Sequence, residues 1–182
     1  MDKSLFEILP KKFTINYNNI KYVGGMAHLY SIPKTKLVKI LKKTEDLDFI
    51  TNMVIHQEKI SKKLGEKGYN VPRVFGSFKI YHENKGIFLP GFVNEDMYFL
   101  KRMDSLYGFN FDYFFNLYKE ILINLKKDGF VPGDFKKENI LCDLNLKKIY
   151  LIDYDDWDYI KNEEKIITPR YNYLDNIFFK KI

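Results

Sequence analysis

The chain has 182 residues, 46% hydrophobic and 17% aromatic, which suits one domain or two small lobes sharing a cleft and excludes a largely disordered protein. Its net charge is +6, but 24 acidic residues accompany the lysines, so it is no histone-like polycation. One cysteine, Cys142, excludes an intramolecular disulfide, and no Cys/His cluster has zinc-site spacing. A basic surface could attract nucleic acid, anionic lipid or an acidic protein, and an AT-rich genome would also enrich lysine; no motif supports nucleic-acid contact. Met1-Asp2-Lys3-Ser4 does not begin a signal peptide, and no run of about 18 apolar residues exists, so a cytoplasmic protein without a membrane span is expected.

In chain order, residues 12–32 alternate as strands would, with Phe13, Ile15, Tyr17, Ile20, Tyr22, Leu29 and Ile32 apolar and Gly24-Gly25 as a turn between two strands. Pro33 to Lys36 is a polar turn and Leu37–Leu41 a third strand. The spacing of Leu47, Ile50, Val54, Ile55 and Leu64 predicts a helix over 45–67, stopped by Gly65 and Gly68. Val74–Ile80 and Met97–Leu100 read as strands joined by a polar hairpin around Asn84-Lys85-Gly86. A helix follows at about 111–127, with Phe114, Leu117, Tyr118, Ile121, Leu122 and Leu125 as its stripe and Asp128-Gly129 as its end.

The segment after this helix carries the chemistry. It runs Gly129-Phe130-Val131-Pro132-Gly133-Asp134-Phe135-Lys136-Lys137-Glu138-Asn139-Ile140-Leu141, and then, past a short connection, Ile149-Tyr150-Leu151-Ile152-Asp153-Tyr154-Asp155. Asp134 and Asn139 have the Asp-x4-Asn spacing, and Asp153 follows Asn139 by 14 residues, room for a two-stranded hairpin. The segment resembles the catalytic and metal-binding loops of the protein-kinase-like superfamily. Phosphoryl transfer needs an aligned hydroxyl and neutralised phosphate charge more than covalent chemistry from the protein. The resemblance therefore implies Asp134 as the base and Asn139 and Asp153 as ligands for Mg2+, which favours hard oxygens and keeps several waters. Lys136 matches the lysine that serine/threonine kinases place near the transferring phosphate, although it could be one more solvated lysine.

Further upstream, Lys39 on the third strand and Glu58 on the helix, 19 residues apart, match the ion pair that positions nucleotide phosphates in the superfamily. Lys42 and Lys43 compete for that place, but apolar Val38 and Ile40 flank Lys39. Gly24 and Gly25 lie where a reduced phosphate-covering loop would, without the three spaced glycines of the full pattern. Leu100-Lys101-Arg102-Met103-Asp104 occupies the hinge position, so adenine is expected near the main chain of Lys101 to Met103.

Several positions depart from the pattern. Pro132-Gly133 replaces His-Arg, removing the usual partner of an activation-loop phosphate. Gly133 is shared with RIO kinases, aminoglycoside phosphotransferases and the small kinase of the KEOPS complex. Asp155 stands in place of glycine after Asp153-Tyr154, as in many small-molecule kinases, and Asp156 and Asp158 read as a solvated acidic turn. Thr168-Pro169-Arg170-Tyr171 faintly resembles the end of an activation segment, and 29 residues follow Asp153, few for a peptide-binding platform. The tail (Tyr171, Tyr173, Phe178 and Phe179) could seal the core or dock a partner.

The expected fold is α+β and two-lobed: residues 1–104 form an antiparallel sheet plus helix, and residues 105–182 a reduced, mainly helical lobe. The expected activity is transfer of the ATP γ-phosphoryl group, with Mg2+, to a protein Ser/Thr hydroxyl. Gly133 and Asp155 favour a small-molecule kinase instead. The few residues after Asp153 favour a nucleotide-binding pseudokinase that acts by docking.

Overall fold

A computed structural model of the chain describes residues 7–8, 20–23, 27–32, 36–41, 47–82, 87–97 and 99–169, with side chains described for 47–77, 90–97 and 99–169. The chain forms two compact units, one of residues 1–58 and 73–96 and the other of 59–72 and 97–182.

The first unit holds a six-stranded sheet in the order β1-β5-β6-β4-β3-β2. Its strands are β1 (Glu7–Ile8), β2 (Ile20–Val23), β3 (Ala27–Ile32), β4 (Lys36–Leu41), β5 (Val74–His82) and β6 (Ile87–Glu95). All neighbours pair antiparallel except β1 and β5, which run parallel. Helix α1 (Leu47–Glu66) begins in this unit, where Ile50 and Val54 pack on Phe92 of β6 and on Val74.

The strand expected at Met97–Leu100 is instead β6 at Ile87–Glu95, and the chain turns after it, with the Leu100 amide bonded to the Met97 carbonyl at 3.0 Å. β6 contains Pro90, which is tolerated for a positional reason. Pro90 pairs with Lys79 of β5, whereas pairing of β6 with β4 extends only from Lys36↔Glu95 to Lys39↔Phe92. Proline's missing N–H therefore breaks no ladder bond on that side. Phe13, Ile15, Tyr17, the turn at Pro33 and the hairpin tip at Asn84-Lys85-Gly86 lie outside the described residues.

The second unit is built on α2 (Gly108–Asp128) and two three-stranded sheets. One has the order β10-β9-β7, from β7 (Lys101–Arg102), β9 (Ile140–Asp143) and β10 (Lys148–Leu151). The other has the order β12-β11-β8, from β8 (Phe130–Val131), β11 (Asp158–Lys161) and β12 (Glu164–Ile166). Its core joins Ile60 and Leu64 from the end of α1 to Met103, Phe114, Leu125, Phe130, Ile140, Leu151, Tyr154, Trp157 and Tyr159. Gly129 ends α2 in the left-handed region, φ 97°, and its amide satisfies the Leu125 and Lys126 carbonyls, as the Asp128-Gly129 signal predicts. Among the described residues no helix is long and apolar enough to cross a membrane.

Candidate active site

The loop after α2 is fixed at its start by β8, which pairs Phe130 with Tyr159 and Val131 with Asp158 of β11. Gly133 follows, against the backbone of Asp156. A Cβ added to Gly133 would lie 2.2 Å from the Asp156 carbonyl oxygen and 2.9 Å from its Cβ. Only glycine lets the two loops approach this closely, which gives the missing arginine a packing reason.

Asp134 comes next, and three groups gather on it. The Lys136 ammonium lies 2.7 Å from Asp134 Oδ2. Asn139 Nδ2 donates to the Asp134 carbonyl oxygen at 3.0 Å and to Oδ2 at 3.3 Å. A 3-10 turn, Lys137–Asn139, swings the asparagine back to the aspartate, and its side chain is buried. The hydrogen bond that Lys136 donates to the Asp134 carboxylate, with the charges of Asp134, Glu138 and Asp153, holds the Lys136 pKa above its ordinary value, against a partial desolvation that lowers it.

The β9–β10 hairpin delivers the second carboxylate. Asp143 Oδ1 accepts the amides of Asn145 and Leu146 at 3.0 and 2.9 Å, closing its turn. Leu151 pairs with Ile140, and the Ile152 amide donates to the Asn139 carbonyl at 3.1 Å, so the residues bordering Asn139 and Asp153 are held side by side. Asp153 is exposed and has φ 59°, a left-handed conformation costly for a non-glycine residue and concentrated at functional sites. Tyr154 behind it is buried, and its hydroxyl donates to Ser61 Oγ of α1 at 2.7 Å.

Of the solvated acidic turn expected at Asp156 and Asp158, Asp156 is half-buried and Asp158 is buried, as is Asp155 before them. Asp158 Oδ1 accepts the Thr168 amide at 2.7 Å, and Thr168 Oγ1 donates to the Asp155 carbonyl at 3.2 Å. A buried carboxylate is tolerated when so bonded, and these contacts tie residue 168 to the loop of Asp153.

In the first unit, Glu58 Oε2 accepts a hydrogen bond from Ser77 Oγ at 2.6 Å. Lys39 sits opposite Phe92, which sits opposite Ser77. Directly paired residues share a sheet face, and Phe92 packs on α1. The register thus puts Lys39 on the face covered by the helix that carries Glu58; the lysine side chain and Gly24-Gly25 lie outside the described residues. Lys101 is exposed on β7, while Met103 is buried in the second unit's core, in a turn braced by Arg102 on Asp104 and by Ser105 Oγ on the Arg102 carbonyl at 2.6 Å.

Asp134, Lys136, Asn139 and Asp153 are therefore brought together within one unit, and Lys39 and Glu58 share a sheet–helix face within the other. The oxygen donors suit Mg2+: Asn139 Nδ2 is turned to Asp134, leaving its amide Oδ1 as a ligand atom, and Asp153 offers a carboxylate. Among the described residues no group of three or more His, Cys, Asp or Glu side chains is arranged to hold a metal, so an ion here would rely on these two oxygens, water and phosphate.

No protein-family profile and no curated protein matches the sequence. Among solved structures, the Rio2 kinase of Chaetomium thermophilum, in a complex with ADP/Mg2+ and phosphoaspartate, aligns in fold with a TM-score of 0.54 at 19% identity. The fold is protein-kinase-like. The alignment covers 78% of this chain, which spans about half, 48%, of the Rio2 chain.

Proposed function

We propose that the chain is an ATP- and Mg2+-dependent phosphotransferase whose acceptor is a hydroxyl, with Ser/Thr of a protein as the leading class. The observation that supports this best is the cluster of Asp134, Lys136, Asn139 and Asp153 in a protein-kinase-like fold.

In this reading Asp134 accepts the proton of the acceptor hydroxyl as its oxygen attacks the γ-phosphorus, and the bond to the bridging oxygen of ADP breaks. Lys136, now paired with Asp134, moves to the charge on the transferring phosphoryl group. Lys39 holds the nucleotide phosphates with Glu58 as its partner. Gly24 and Gly25 cover the phosphates, and the main chain near Lys101 to Met103 receives adenine. Mg2+ held by Asn139 Oδ1 and Asp153 would supply charge neutralisation on the phosphates. Residues 1–104 and 105–182 serve as the nucleotide-holding and acceptor-holding lobes, in a cytoplasmic protein.

Gly133, one ground for a small-molecule acceptor, has a packing role indifferent to acceptor class. The test is phosphoryl transfer from γ-labelled ATP with Mg2+ to the chain itself and to a generic protein substrate. Hydroxylamine-stable label on the wild type, lost in Asp134→Ala and Asp153→Ala, is expected. Hydroxylamine-labile label would instead indicate a carboxylate acceptor, the chemistry of the phosphoaspartate in the Rio2 complex. Label on a metabolite alone would mean a small-molecule kinase, and Mg2+-dependent ATP binding without any transfer a pseudokinase.

A further inference from the structure

Phe135 separates Asp134 from Lys136, and α2 grips it twice. The Tyr118 hydroxyl donates to the Phe135 carbonyl at 2.9 Å, and the two rings stack at 4.6 Å and 13°. On its other side Phe135 meets buried Trp157 in an edge contact at 5.6 Å. Tyr118 is in turn stacked on Phe115, at 6.0 Å and 12°, and Phe115 on Phe111, at 5.5 Å and 13°. On the near side of Asp134 the loop is held by backbone alone, since Pro132 has no N–H and Gly133, without a side chain, lies against the backbone of Asp156.

From this geometry we infer that Tyr118 is a positioning residue for phosphoryl transfer, holding the backbone between Asp134 and Lys136 so that both side chains meet the acceptor. The inference rests on the kinase reading above. Burial, with Glu138 nearby, pushes the Tyr118 pKa up, so the hydroxyl stays a donor through neutral pH. Tyr118 touches neither ATP nor acceptor in this scheme; it acts through the main chain of Phe135. The apolar stripe of α2 hides it, because a tyrosine at that spacing reads as core.

The test pairs kinetics with amide hydrogen exchange on the full chain. Tyr118→Phe keeps the stack and removes one hydrogen bond, so kcat should fall about fivefold. Tyr118→Leu removes both contacts, and about a fiftyfold loss is expected. In both variants KM for ATP should stay within about twofold of wild type, since the nucleotide residues are untouched. Amides of 134–136 should exchange faster, while those of Ile140–Asp143 keep their protection. Unchanged kcat and unchanged exchange at 134–136 in Tyr118→Phe would overturn the inference, as would parallel losses in kcat, KM and protection throughout the second unit. A wild type that transfers no phosphate defeats the kinase reading instead; exchange at 134–136 then still decides whether Tyr118 braces the loop.

Discussion

The contact between Gly133 and Asp156 makes Gly133→Ala a sharp perturbation. The added methyl would meet the Asp156 carbonyl oxygen at 2.2 Å and its carbonyl carbon at 3.0 Å, where ordinary van der Waals contact begins at 3.4 Å. These are backbone atoms, so no side chain can swing aside, and the loops must part by about 1 Å. Overpacking of this kind costs about 1–3 kcal/mol. For a chain of this size that lowers Tm by about 3–10 °C. Because Gly133 precedes Asp134 and Asp156 lies just past Asp153, the movement also separates the two carboxylates, and a displacement of about 1 Å costs on the order of 100-fold in kcat. Gly65→Ala is the control: its methyl would find only Val71 Cγ2, at 4.0 Å, in the last turn of α1. Removing a helical glycine there should raise Tm by about 2 °C. Thermal melts of the three proteins decide the structural part and labelled-ATP turnover the rest. A Gly133→Ala protein that melts with wild type would refute the close approach of the loops and the reason given for the glycine.

Two further outcomes follow from buried groups in the second unit. Burial pushes the Cys142 thiol from 9.0 up to about 12. With its folded value raised, the thiol's contribution to stability is full below pH 9 and is lost as pH climbs toward 12, at about 1.4 kcal/mol per pH unit. Melts between pH 8 and 10.5 should steepen for wild type and flatten for Cys142→Ala; equal slopes would count against the assignment. The Tyr154–Ser61 hydrogen bond should be worth about 1 kcal/mol, so Tyr154→Phe and Ser61→Ala each lower stability by about that amount. The double variant should lose less than their sum, and additivity in denaturant melts would show that the pair is uncoupled.

What could be read before the structure was known depended on how local each signal is. Both helices follow from apolar spacing closed by glycine, Gly68 and Gly129, with Gly65 inside α1 rather than ending it; the bounds agree to within three residues at each end: 45–67 against Leu47–Glu66, and 111–127 against Gly108–Asp128. The strand expected at 97–100 lies at Ile87–Glu95, and Pro90 fits inside it only because of which neighbours β6 pairs with, which is not a local signal. Strands β8, β11 and β12, of two to four residues, carry no period long enough to see. Asp158 looks like a surface acid until Thr168, ten residues on, supplies its partner.

The candidate site divides the same way. Asp134, Lys136 and Asn139 lie within six residues, and a single hairpin brings Asp153 to them, so spacing alone reports the cluster. The hydrogen-bond partners around the site residues are distant in sequence: Tyr118 lies 17 residues from Phe135 and Ser61 lies 93 from Tyr154, and in the first unit Ser77 lies 19 from Glu58. Each belongs to a type, such as a stripe tyrosine or a helix or strand serine, that local pattern assigns to core or surface. Gly133 shows the difference in kind. As a letter it marks a missing arginine and points toward kinases with a glycine there. As a position it is where two backbones touch, and that contact constrains the residue whatever the acceptor. The acceptor is better sought in how Lys136 and its partners behave than in the glycine beside them.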